Sequence, residues 1–236
     1  MQPSPGASET HPPGGERYGA AMDTLTHALS GALLARVVTP SGTAPGTPGV
    51  KGRVLAGFVG GAFPDIDFVM RAVDTLWYLS EVHQGATHSL ILLPVWAMLI
   101  AWVFGRFTGL GWRGYLLPVL LGIGIHIVGD LITAYGTMVL YPFSQWRPAL
   151  SWVYVVDPYF TLIIIAGLAA AWAWPHLGRT AAFAALLILT AYTAMQGFVQ
   201  HRAVLLATAS TRMSQNSRMP GVMRSHSPSR RHTGWW

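Results

Sequence analysis

Four apolar runs set the terms for this chain: Leu90–Phe104, Tyr115–Tyr135, Tyr159–Trp174 and Thr180–Val199. A hydrocarbon core takes about 20 apolar helical residues to cross. Within lipid the backbone must hydrogen-bond to itself, so an isolated run of this kind can only be helix. Two shorter helices come first, Asp23–Val38 and Val54–Phe63, split by the Pro/Gly/Thr-rich stretch TPSGTAPGTPGVKGR. The expected fold is all-α: a multipass transmembrane helical bundle of four clear spans plus two shorter N-terminal helices. Composition agrees, because 10% of the 236 residues are charged against roughly 25% in an ordinary soluble domain. The absence of cysteine excludes disulfides, thiolate zinc sites and a cysteine nucleophile.

The net charge of +6 belongs to the end of the chain. Residues 201–236 hold six arginines and no acid, whereas residues 22–200 hold eight basic and seven acidic groups. A nearly neutral body offers no specific nucleic-acid surface, and the partner it calls for is the lipid bilayer. Residues 1–21 are rich in Pro, Gly and Ser and lack an apolar run, so they are expected to be a disordered extension, not a signal peptide. The expected organisation is this extension, a membrane-embedded domain over 22–200, and a basic, disordered tail over 201–236.

If successive segments run antiparallel, the loops 36–53, 105–114 and 175–179 share one end. They carry Arg36, Lys51, Arg53, Arg106, Arg113 and Arg179 and no acid. The opposite loops, 65–89 and 136–157, carry only Arg71 and Arg147 and are rich in acids. The positive-inside rule puts the first end in the cytoplasm of a multi-pass protein in the cell's inner (plasma) membrane.

Ionisable groups in apolar segments are costly and usually functional. Here they are His27 near the start of the first helix, Asp65 and Asp67 in GGAFPDIDF, and His83 and His88 in HQGATHSLILLP. His126 and Asp130 lie late in the second long run, and Asp157 opens the next in VVDPYF. Alternating chain direction brings all eight to one end, opposite the basic loops. His126 and Asp130, four apart, share a helix face. Each element also has a purely structural explanation: a His–Asp bond between helices, a Pro-Asp turn, or an Asp cap before Pro158. Jointly they would form an uncompensated charge cluster unless cations occupied it.

Imidazole with carboxylate suits a divalent metal, and zinc, manganese or iron(II) better than magnesium or calcium; zinc is the metal expected. Eight donors suffice for two or more ions. Such a site activates water for phosphoester hydrolysis, with Asp67 or Asp157 as the base. A metal-ion or proton transporter, or a metal-binding membrane protein, would use the same cluster; a transporter, however, spreads donors along a path and often shows repeated halves. Thr24, Thr87, Ser89, Thr133 and Tyr135 adjoin the candidate ligands. No His-Glu-x-x-His is present, which excludes that type of zinc protease.

The segments MDTLTHALSG, FPDIDF, HQGATHSLILLP and HIVGDLITAYGTMVLYPFS, followed by VVDP, resemble the membrane-bound metal-dependent hydrolase family. This is the YdjM-type, LexA-regulated group of bacterial inner-membrane proteins. The resemblance covers roughly residues 22–200. The family in turn is similar to zinc-dependent phospholipase C and the single-strand-specific zinc nucleases. The resemblance implies ligand roles for His27, for Asp65 or Asp67, for His83 and His88, and for His126 with Asp130, and less securely a role for Asp157. The family's usual basic residue after the first loop histidine is Gln84 here.

Overall fold

Proline and glycine punctuate the apolar runs and decide where each helix begins. In the computed structural model, which describes residues 15–42, 44–72, 84–134, 136–153 and 157–218, the regular elements are all helical. They are α1 (Gly15–Val38), α2 (Val50–Ala62), α3 (Leu93–Thr108), α4 (Arg113–Leu131), α5 (Pro158–Ala173) and α6 (Gly178–Arg218). Two 3-10 helices, Phe63–Ala72 and Ala86–His88, lie between α2 and α3. Pro94 and Pro158 sit in the first turn of α3 and α5, where a missing N–H costs nothing. Gly109 ends α3 with φ +69°, a left-handed cap that favours glycine.

Among the described residues, two helices are long and apolar enough to cross a membrane, Arg113–Leu131 and Gly178–Ser214. The apolar helices Thr24–Val38, Leu93–Thr108 and Pro158–Ala173 are shorter. Two boundaries differ from those read in the sequence. α1 already begins at Gly15, and α6 continues to Arg218, well into the segment expected to be a disordered tail. The continuation HRAVLLATASTRMSQNSR contains no Gly or Pro, and its Ala, Leu, Arg, Met and Gln residues are good helix formers.

α1, α2 and α4 meet almost backbone to backbone. A Cβ on Gly31 would collide with the Gly57 carbonyl, and one on Gly122 with the same oxygen. Only glycine permits that approach. α3 packs on the far side of α4 through Ala97, Ala101, Val119, Ile123 and Ile127. α5 and α6 pack on the other side of α1 through Leu33, Ile164, Ala182, Ala185 and Leu189.

These contacts fix the chain directions. The basic loops gather at one end: the Arg36 guanidinium donates to the carbonyls of Thr39 and Pro175, and Arg179 Nε to that of Val37 at 2.8 Å. Pro48 there packs where a side chain on Gly114 would go. At the other end the chain after α4 folds back over it. Leu150 N donates to Leu131 O, and Trp152 N and Val153 N to Ile132 O, which satisfies carbonyls a helix end leaves open.

Candidate metal centre

The end of the bundle away from the basic loops holds His27 from α1, Asp65 and Asp67 from the longer 3-10 helix, His88 from the shorter one, and His126 and Asp130 from α4. His27, His88, His126, Asp67 and Asp130 are buried, and the Asp65 side chain is 22% exposed. His83 lies outside the described residues.

Asp130 is the hub. Its Oδ1 is 3.1 Å from His27 Nε2, and its Oδ2 is 3.1 Å from His88 Nε2 and 3.6 Å from His126 Nε2. Asp65 Oδ1 approaches the same two imidazoles, at 3.9 Å from His88 Nε2 and 3.5 Å from His126 Nε2. The two Nε2 atoms are 3.0 Å apart. The His27 and His126 rings stack with centroids 4.1 Å apart.

The far nitrogen of each central histidine decides what its Nε2 can offer. His126 Nδ1 is 2.7 Å from the Gly61 carbonyl, which only accepts, so the proton belongs on Nδ1 and Nε2 carries a lone pair. His88 Nδ1 faces Thr87 Oγ1 at 3.0 Å and Asp67 Oδ2 at 3.7 Å. Thr87 Oγ1 also lies 3.4 Å from Asp67 Oδ2, so the hydroxyl and the carboxylate together hold the Nδ1 side of His88. Two imidazole Nε2 atoms and two carboxylate oxygens thus converge. Asp65 Oδ2, also buried, has no hydrogen-bond partner among the described residues. Such an arrangement can hold a cation.

The spacing fits a cation as well. Tetrahedral zinc with bonds of about 2.0–2.1 Å sets its ligand atoms roughly 3.3 Å apart. The His88 Nε2, His126 Nε2 and Asp65 Oδ1 atoms lie 3.0, 3.5 and 3.9 Å apart. Two overlapping groups could hold a metal ion: His27 with His126 and Asp130, and Asp65 with His88 and His126.

The other predicted residues stand apart from this convergence. Asp67, expected as ligand and base, faces Nδ1 of His88 and not Nε2, where the donors meet; it accepts from Gln84 N at 3.1 Å. The 3-10 helix explains the divergence, since at three residues per turn Asp65 and Asp67 point about 120° apart. Asp157 caps α5, its Oδ1 accepting from Tyr159 N and Phe160 N, while its Oδ2 accepts from Tyr192 OH at 2.8 Å. Thr133 Oγ1 bonds to the Asp130 carbonyl at 2.8 Å, a local helix-end contact. Ser89 Oγ donates to the Tyr141 carbonyl, and Tyr135 lies outside the described residues.

Gln84 went unnoticed as a site residue. It is buried, adopts φ +57°, and donates from its side chain to Asp130 Oδ2 at 3.4 Å. Gly61 serves the site through its backbone. A Cβ there would strike the His27 carbonyl and Ala28, so glycine lets α2 approach closely enough to present its carbonyl to His126. Neither residue type advertises such a role in a sequence.

A Bacillus subtilis (strain 168) protein described as uncharacterized protein YfhP is 29% identical over 184 residues, which cover 77% of this chain and 55% of that protein. The chain thus spans about half the length of that relative. No solved structure matches. The match to YdjM inner membrane protein covers residues 22–203, from the start of the first motif to beyond the last apolar run. The chain belongs to the YdjM inner membrane protein family.

Proposed function

We propose that the chain is an integral membrane metal-dependent hydrolase, cleaving a phosphoester or lipid-like ester with metal-activated water on the extracytoplasmic face of a bacterial inner membrane. One observation carries the reading: His88 Nε2 and His126 Nε2 face each other at 3.0 Å, with Asp65 and Asp130 oxygens beside them. Imidazole plus carboxylate favours zinc. Bound there, zinc supplies an acidified water and positive charge toward the phosphoryl oxygens.

The chain's own residues divide the remaining work. His88, His126, Asp65 and Asp130 would hold an ion. Asp130 also reaches His27 with its other oxygen, so His27 would belong to the same donor set. His83, next in sequence to Gln84, is a further candidate donor. Asp67 and the Gly61 carbonyl orient His88 and His126 from behind, the outer contacts that fix tautomer and basicity. Water adds to phosphorus, the bond to the alcohol oxygen breaks, and the departing oxygen takes up a proton. Asp65, mostly buried and with one oxygen lacking a hydrogen-bond partner among the described residues, is best placed to receive the proton lost by the water. Asp67 and Asp157 have their carboxylates engaged by neighbouring donors. Donors crowded at one end favour hydrolysis over transport, which needs a path of sites. The basic loops at the opposite end support a cytoplasmic placement for that end.

Metal analysis of detergent-purified protein tests this directly. At least one zinc per chain is expected, together with chelator-sensitive release of nitrophenol from bis(nitrophenyl) phosphate. Both should be lost in His126→Ala. Wild-type protein that purifies without metal, and takes none up from zinc-containing buffer, would end the reading.

A further inference from the structure

Beside the metal centre lies a cavity of about 290 Å³ bounded by α1, α4, α5 and α6. Its walls are not uniform. At the depth of the metal centre it is edged by Thr26, His27, Thr133, Asp157 and Thr193. Farther from that end it is edged by Ser30 of α1 and by Leu186 and Leu189 of α6, while Ile125 and Val128 line it level with His126 and Asp130. The order follows from chain direction: α4 and α6 run toward the metal end, as the pairings Gly129–His27 and Asp157–Tyr192 require. Between Leu186 and Ala194 the lining covers about 12 Å of helix axis at 1.5 Å per residue. The cavity is therefore elongated along the bundle, mostly apolar, with its ionisable groups at the metal end. It is not sealed, since Val128 is 49% and Trp152 39% exposed at its border.

We propose that this cavity takes one acyl chain of a membrane glycerophospholipid, with the chain end beside Leu186 and Leu189 and the headgroup side against His27 and Asp157. The proposal rests on the hydrolase reading above and names its substrate class. Three features select the occupant. A volume close to the lower bound of about 300 Å³ for small-molecule sites suits part of a lipid, not the whole. The opening lies on the flank of helices belonging to an inner-membrane family, so the neighbouring phase is lipid. His27 belongs to both the cavity wall and the metal-donor cluster, so a chain seated here brings its own headgroup esters to the metal.

The experiment uses the full chain reconstituted in phosphatidylglycerol/phosphatidylcholine vesicles. These contain a trace of phosphatidylglycerol bearing a diazirine at the end of one acyl chain. After irradiation, labelled residues are mapped by peptide mass spectrometry, and zinc is counted in the same samples. Label is expected to concentrate in 125–133 and 186–194, at least fivefold over the outward residues Val95 and Leu99 of α3. Leu186→Trp and Thr193→Phe, which fill opposite ends of the cavity, should each remove that enrichment and leave zinc unchanged. The wild-type map needs neither variant to fold. Label spread evenly over outward helix faces, or enrichment that both filled variants retain, would overturn the proposal. Cavity label without zinc would leave the acyl site standing and remove the hydrolase. Zinc without cavity label would do the reverse.

Discussion

Asp130 and Asp157 are both buried aspartates at the same end of one apolar bundle, 5% and 9% exposed, yet they are satisfied in opposite ways. Asp157 is met by donors the fold already owns: two backbone N–H groups at the start of α5 and the Tyr192 hydroxyl, itself steadied by Gln196 Nε2 at 3.1 Å. Asp130 is met by three imidazoles and the Gln84 side-chain amide. An uncompensated buried ion costs several kcal/mol. The difference teaches that a buried acid met by backbone and hydroxyl donors is satisfied by the fold, whereas one ringed by imidazoles is a candidate metal ligand.

The sharpest way to break this comparison is to remove each carboxylate in turn. Asp130→Ala should weaken zinc binding at least about 100-fold, because it deletes an oxygen shared by the donor cluster. Asp157→Ala should leave zinc stoichiometry intact. Competition with a chromogenic chelator reads both, and equal losses would erase the distinction. A smaller effect is expected behind the ligands. Asp67→Asn should cost roughly 10–100-fold in zinc affinity through the orientation of His88, with a full complement of zinc recovered at saturating metal. If Asp67→Asn abolishes binding outright, Asp67 is itself a ligand. The smallest effect falls on the Asp157 side. Tyr192→Phe removes a hydrogen bond to a charged group, worth about 1.5–3 kcal/mol. Its melting temperature should fall, at about 2–4 °C per kcal/mol for a chain of this size, without change in bound zinc.

Much of the candidate site was legible before any coordinates. His126 and Asp130 were paired by helical spacing, and His27, Asp65 and His88 were brought to them by counting chain reversals. The count worked because apolar helices joined by short loops have little choice but to alternate. It could not separate Asp65 from Asp67, because the tight 3-10 turn after α2 was invisible in FPDIDF. It could not see that Gln84 would bend back to Asp130, since a positive φ at a glutamine leaves no compositional trace. It also drew α6 to a close near residue 200, because a loss of hydropathy was read as a loss of helix.

What the amino-acid order determined alone was the helical class, the order of the segments, and the end of the bundle at which imidazoles and carboxylates collect. These depend on local period and on the cost of bare backbone in an apolar setting, both properties of short stretches. Tertiary structure decided which nitrogen of each histidine faces inward, which aspartate stands behind and which in front, and which acid is already satisfied. Those outcomes depend on how closely α1, α2 and α4 approach at Gly31, Gly57 and Gly122. A helix carries its side chains at known angles, but only its neighbours determine what those side chains meet.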